Sequence, residues 1–113
     1  MRWLLRSKIH KATVTGKNLN YVGSIGIDKT LTEKVGLWPG ERVLVVDNTN
    51  GVRLETYVIE EKRNSRKIIM YGAASRLIKK GDEVIIMGFE LTDNPISPKN
   101  ILVDKNNKFV KFL

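Results

Sequence analysis

Cysteine is absent from these 113 residues, and histidine occurs only once, as His10. Without cysteine there is no disulfide scaffold, no cysteine-ligated zinc and no thiol nucleophile. One histidine cannot form a metal cluster, and a lone His on a strand reads as structural. The carboxylates show no spacing typical of a metal loop or a glycosidase pair, so no metal is expected. A glycine-rich phosphate loop is missing too. No apolar run approaches the roughly 18 residues of a membrane span, so no membrane association is expected. The opening MRWLLRSKIHK has no sustained apolar core and no cleavage site, so a secretory signal is not expected and the expected compartment is the cytoplasm.

What the chain has is ample hydrophobic content and positive charge. Hydrophobic residues make up 42%, a globular share that argues against intrinsic disorder. The length suits one domain. Twenty Lys and Arg stand against 12 Asp and Glu, a net charge of +8. The cations gather at Arg2 to Lys17, at Lys62 to Lys67, at Lys79–Lys80 and in the tail. Three readings are open: a solvated lysine-rich surface, a nucleic-acid footprint, or a few cations that bind a small anion. RNP-type aromatics and a helix-turn-helix pattern are both absent, which argues against nucleic acid as a partner. Bulk charge does not choose among the three.

The dominant period is two. Arg42 to Asp47 reads as a buried strand, Asn48 to Gly51 as a turn, and Val52 to Ile59 as the returning strand of a hairpin. On that strand Arg53, Glu55 and Tyr57 share one face, so Arg53 with Glu55 reads as a surface ion pair. Lys67 to Tyr71 and Glu83 to Leu91 are further strands. Leu4 to Thr15 and Tyr21 to Ile27 are strand-like, with Gly16-Lys17-Asn18 as the turn between them. Asp28 is placed to cap a short helix over Lys29 to Val35, with Gly36 as its stop. Gly72 to Ile78 allows one or two more helical turns. Short strands with turns every 8 to 12 residues predict a mainly-β fold, a small closed barrel with one or two short helices. Residues 1–91 are expected to form this single domain. Residues 92–113 are expected to be a C-terminal extension, a hairpin of Ile101–Val103 and Phe109–Phe112.

One segment suggests chemistry: Asn20-Tyr21-Val22-Gly23-Ser24-Ile25-Gly26-Ile27-Asp28. Glycine inside a strand-like run marks a bulge or a close backbone approach. Without a Cβ at Gly23, a neighbouring hydroxyl can come near its carbonyl. Given a strained peptide and an oxyanion donor, the Ser24 hydroxyl can attack that carbonyl. The resulting ester is open to elimination, which would convert residue 24 to a pyruvoyl group.

The stretches Lys8-Ile9-His10-Lys11-Ala12-Thr13-Val14-Thr15 and Leu19-Asn20-Tyr21-Val22-Gly23-Ser24 resemble the pyruvoyl-dependent aspartate 1-decarboxylase family. So do Asn50 to Ile59, Gly72-Ala73-Ala74-Ser75-Arg76 and Gly81 to Ile86, in the family's order and spacing over roughly residues 4–91. The resemblance implies a double-psi β-barrel, a homotetramer with active sites at subunit interfaces, and an inactive zymogen that cleaves itself autocatalytically. By that likeness Gly23 would end a β chain of residues 1–23. Ser24 would begin an α chain of residues 24–113 as the pyruvoyl group, which forms a Schiff base with substrate in place of PLP.

The same likeness gives Thr56 the cleavage oxyanion and a substrate contact, and makes Tyr57 the proton donor. Lys8 and Arg53 would meet the substrate carboxylates, while Gly72, Ala73 and Ala74 line the substrate. The implied reaction is loss of the α-carboxylate of L-aspartate to give β-alanine and CO2, for pantothenate and coenzyme A biosynthesis. Maturation would run with or without a separate maturation factor. Two positions depart from the family pattern. Tyr71 stands where Asn usually precedes Gly-Ala-Ala, which bears on substrate choice and maturation. Gly26 stands where Thr or Ala is commoner, adding flexibility just past the scissile bond. The alternative is a non-catalytic basic β-barrel that binds nucleic acid.

Overall fold

The computed structural model describes Met1–Leu113. In chain order it contains β1 (Arg2–Thr13), β2 (Gly16–Asn18), β3 (Ser24–Asp28), α1 (Lys29–Val35), β4 (Arg42–Asp47) and β5 (Arg53–Glu61). These are followed by β6 (Ile68–Tyr71), a 3-10 turn (Gly72–Arg76), β7 (Glu83–Thr92), β8 (Lys99–Val103) and β9 (Phe109–Phe112).

Hydrogen bonds join the strands in the order β2-β6-β3-β5-β4-β7-β1-β8-β9. The two ends of the central run belong to one length of chain, because only Val14 and Thr15 separate β1 from β2. Thr15 N donates to the Ile68 carbonyl at the head of β6 (2.8 Å), and Val14 N to the Asp82 carbonyl (2.9 Å). The sheet therefore closes into a small mainly-β barrel. A register shift between Ile9 and Ala12, with Lys11 at φ 65°, bends β1 before its pairing with β7 resumes at Ala12 and Val84. An extra residue on one strand produces that kind of bend.

Alternation supplies the core. Ile25, Ile27, Val43, Val45, Val58, Ile68, Met70, Val84 and Ile86 recur at every second position of their strands and are buried in one cluster. The helix α1 forms as its caps dictate. Asp28 Oδ1 accepts from Thr30 N (2.8 Å), and Gly36 ends the helix at φ 75°, a conformation that glycine adopts without a Cβ penalty. Asp28 also accepts from Asn64 N and Arg66 N, which ties the far end of β3 to the β5–β6 connection.

Two local expectations are corrected. Gly16-Lys17-Asn18 is a strand, not a turn, because it finds a parallel partner in Ile69-Met70-Tyr71 of β6. Tyr21, Val22 and Gly23 lie outside any strand, and pairing begins only at Ser24. The tail is the antiparallel hairpin β8–β9, and β8 lies parallel to β1 with Ile101 and Val103 in the core. The hairpin's loop is pinned by Asn107, whose side chain accepts from Thr13 N and donates to the Thr13 and Arg66 carbonyls.

Candidate active site

The site is organised by β3, the one strand buried along its whole length. It runs parallel to β5 and antiparallel to β6. Its core-facing residues are Ile25 and Ile27, so Ser24 and Gly26 face the other way. By the same alternation Tyr57, Ile59 and Glu61 of β5 share that outer face, as do Ile69 and Tyr71 of β6. In register, Ser24 is paired directly with Tyr71. The parallel pairing of β3 with β5 begins at Ile25 and Val58, and the residues just before them are Ser24 and Tyr57.

Gly23 and Ser24 straddle a boundary. Gly23 is exposed at the end of a loop, while Ser24 is fully buried as the first strand residue. The Ser24 hydroxyl donates to the Val22 carbonyl (3.1 Å), which folds Oγ back over Gly23 instead of outward to solvent. Gly72 sits against this peptide. A Cβ on Gly72 would stand 2.6 Å from Gly23 Cα, 2.9 Å from Gly23 N and 3.2 Å from the Tyr21 carbonyl. Gly72 also has φ 72°, so both its conformation and its surroundings require the missing side chain. Ala73 and Ala74 follow in the 3-10 turn, Ala73 exposed and Ala74 half-buried.

The chain thus brings Gly23, Ser24 and Gly72 into contact and sets Thr56 and Tyr57 on the neighbouring strand. Thr56 is half-buried, and Tyr57 is 36% exposed. Arg53 lies at the start of β5 and is exposed. It makes no ion pair: Glu55 is taken across the strand by Arg42, which leaves the Arg53 guanidinium free for another anion. Lys8 also makes no ion pair, but it stands apart. The row Lys8, Met87, Leu44, Glu55 crosses four neighbouring strands, so Lys8 lies about 14 Å along the sheet from β5. His10 is on β1 with its Nδ1 buried and unpartnered. Burial first, then the Lys8 and Lys11 charges, hold its pKa below the ordinary imidazole value, so it is neutral at pH 7.

Sequence reasoning marked Tyr71 as a departure before Gly-Ala-Ala but did not find its partner beside Ser24, Glu61. The Tyr71 hydroxyl donates to Glu61 Oε2 (3.0 Å), and the Tyr71 ring packs on Tyr21 at 4.9 Å between centroids. Burial, then Glu61, pushes the Tyr71 phenol up to about 12, so it stays a donor. In the sequence Glu61 is hidden in the charged run Glu60-Glu61-Lys62-Arg63, which reads as solvated surface.

The profile of the aspartate decarboxylase family matches residues 1–110 of this chain. A protein of Thermotoga sp. (strain RQ2) named aspartate 1-decarboxylase is 52% identical over 107 residues, covering 95% of this chain and 94% of the relative. Relatives of the same name occur in Desulfitobacterium hafniense (strain DSM 10664 / DCB-2) and in Neisseria meningitidis serogroup C. The first is 52% identical over 114 residues, 97% of this chain and 90% of the relative. The second is 50% identical over 111 residues, 95% of this chain and 87% of the relative.

Proposed function

The chain belongs to the aspartate decarboxylase family, and on that premise we propose that it decarboxylates L-aspartate at the α-carboxylate, giving β-alanine and CO2, with a pyruvoyl group made from its own Ser24. The observation that carries the self-processing is the junction at residues 23 and 24. A buried hydroxyl is folded back over a glycine that a second glycine, Gly72, holds without an intervening side chain.

The Ser24 hydroxyl attacks the Gly23 carbonyl carbon and passes its proton to the departing amide nitrogen, so the peptide becomes an ester. Thr56, on the adjacent strand, is the proposed donor to the oxyanion of that step. Elimination then leaves residues 1–23 with a terminal carboxylate. Addition of one water with loss of ammonia converts the new end of residues 24–113 to a ketone. The residues present fit such a group: Ser24 heads a buried strand, and Gly72 meets the Gly23 side of the scissile peptide with backbone alone. A pyruvoyl group at residue 24 would supply a ketone for the aspartate amine and a sink for the electron pair released with CO2.

The chain's own side chains do the rest. Arg53, with no partner of its own, holds a substrate carboxylate in bidentate fashion, and Lys8 adds a point charge. Tyr57 delivers a proton to the substrate α-carbon. Gly72, Ala73 and Ala74 line the backbone wall. Because Lys8 is set well away from Ser24 along the sheet, we assign the complete site to an interface between copies in a homotetramer. Large apolar side chains left bare, Trp3 at 68% and Trp38 at 76% exposure among them, suit such burial. No helix is long and apolar enough to cross a membrane, and the proposed setting is the cytoplasm, in pantothenate synthesis. Ser24→Ala tests the reading. It is expected to fold, to remain one chain and to make no β-alanine. Parental activity in that variant would refute the pyruvoyl assignment.

A further inference from the structure

We infer that Tyr71 is a positioning residue for the Gly23–Ser24 peptide, locked by the Glu61 carboxylate in a seat that exists only because residue 26 is glycine. The inference rests on the self-processing reading above.

Three residues distant in the chain meet on the outer face of β3. Tyr71 is the direct cross-strand partner of Ser24, so their side chains stand next to each other on one face. Its hydroxyl reaches Glu61 (3.0 Å), and its ring packs on Tyr21, two residues before the scissile glycine. Its carbonyl lies 4.0 Å from where a Gly23 Cβ would be, and the next residue is Gly72, which carries Gly23. Tyr71 therefore touches the peptide's support on both sides: Ser24 and Gly23 through the backbone, Tyr21 through the ring.

Gly26 explains how Glu61 gets there. A Cβ on residue 26 would stand 2.9 Å from the Glu61 carboxyl carbon, 3.0 Å from its Cγ and closer still to Oε2. Gly26 is not in the left-handed region, so its backbone asks for no glycine. It is paired on both sides, by β5 and by β6, so it is not a flexible link either. What it provides is room. The expectation of looseness past the scissile bond is replaced by the opposite: Gly26 admits the carboxylate that fixes Tyr71. A phenol whose pKa stands near 12 keeps its proton for that bond at any working pH.

The physical consequence concerns attack geometry. Without its hydroxyl bond the Tyr71 ring is free to leave Tyr21, and the loop ending at Gly23 loses its lateral support. The Ser24 hydroxyl then spends less time in a productive arrangement, which lowers the rate without altering the reacting groups.

The test follows self-cleavage by intact mass over time, alongside thermal melting, in the parent and three variants of the full chain. Tyr71→Phe removes the hydroxyl alone. Gly26→Ala evicts the carboxylate. Gly26→Ala with Glu61→Ala relieves that crowding without restoring the bond. All three are expected to cleave about tenfold or more slowly, as loss of a charge-assisted hydrogen bond implies, while the double variant melts near the parent. Recovery of the parental cleavage rate in the double variant would reduce the trio to packing and overturn the inference, as would parental cleavage in Tyr71→Phe. A parent that never cleaves would overturn the self-processing reading, and this inference with it. Parental cleavage matched by every variant would overturn the inference alone.

Discussion

Gly72 rests on Gly23 backbone to backbone, with 2.6 Å between the position of an absent Cβ and the α-carbon of the residue at which cleavage is proposed. Replacing Gly72 by Ala strains φ by about 1 kcal/mol or more, since 72° is a left-handed value. It also pushes Gly23 away from the wall. Gly72→Ala is expected to lower the melting temperature and to leave most of the chain uncleaved, measured by calorimetry and intact mass. Normal cleavage would show that this contact is incidental.

The free guanidinium of Arg53 makes a kinetic prediction. Arg53→Ala is expected to raise KM for aspartate about tenfold to a hundredfold, the loss of a charge-assisted pair, while self-cleavage proceeds at the parental rate. Arg53→Lys should recover part of the loss, because an ammonium replaces the charge but not the fork. Steady-state assays on fully cleaved protein check this. An unchanged KM would return Arg53 to the solvated surface.

Asp47 gives a pH signature outside the site. Its side chain is fully buried, Oδ2 has no donor, and Oδ1 accepts from Thr49 N and Asn50 N. Burial first and the neighbouring Asp82 carboxyl second push its pKa above the ordinary Asp value. The folded state therefore binds this proton more tightly than the unfolded chain. Its contribution to stability is present below the ordinary Asp pKa and is lost as pH rises through the raised folded value. Asp47→Asn, which keeps the Oδ1 acceptor, is expected to be more stable than the parent at pH 7, the gap closing toward pH 4. Melting curves across that range decide it, and a gap that widens on acidification would contradict the account.

Asn107 predicts the cost of loosening the tail. It sits in the left-handed region at φ 59° and is 1% exposed, with its amide shared between Thr13 and Arg66. Asn107→Ala leaves those backbone groups unpaired and is expected to cost about 2–3 kcal/mol in chemical denaturation. A change below about 0.5 kcal/mol would mean the hairpin is held by β8 on β1 alone.

Much of this was legible in the chain because local rules and tertiary structure agree. Asp28 and Gly36 bracket α1 as capping chemistry requires, and Asn48 to Gly51 turns between β4 and β5. Gly16 to Asn18 was not legible as a strand, since its pairing comes from β6, some fifty residues away. The Arg53–Glu55 pairing failed for a similar reason: Arg42 of β4, opposite Tyr57, reaches diagonally to Glu55 and captures it. The Gly26, Glu61 and Tyr71 cluster is the clearest case. Two of its members are visible only as odd residues in a family pattern, and what joins them is the register of three strands.

The most direct test of the central claim is the intact mass of the purified protein, read together with β-alanine production. The account predicts two pieces, residues 1–23 and residues 24–113, the larger about 17 Da lighter than a chain beginning with serine, the mass of the one ammonia by which a pyruvoyl end differs from a seryl end. Activity should rise in step with the cleaved fraction. An unbroken chain that turns aspartate into β-alanine would contradict it.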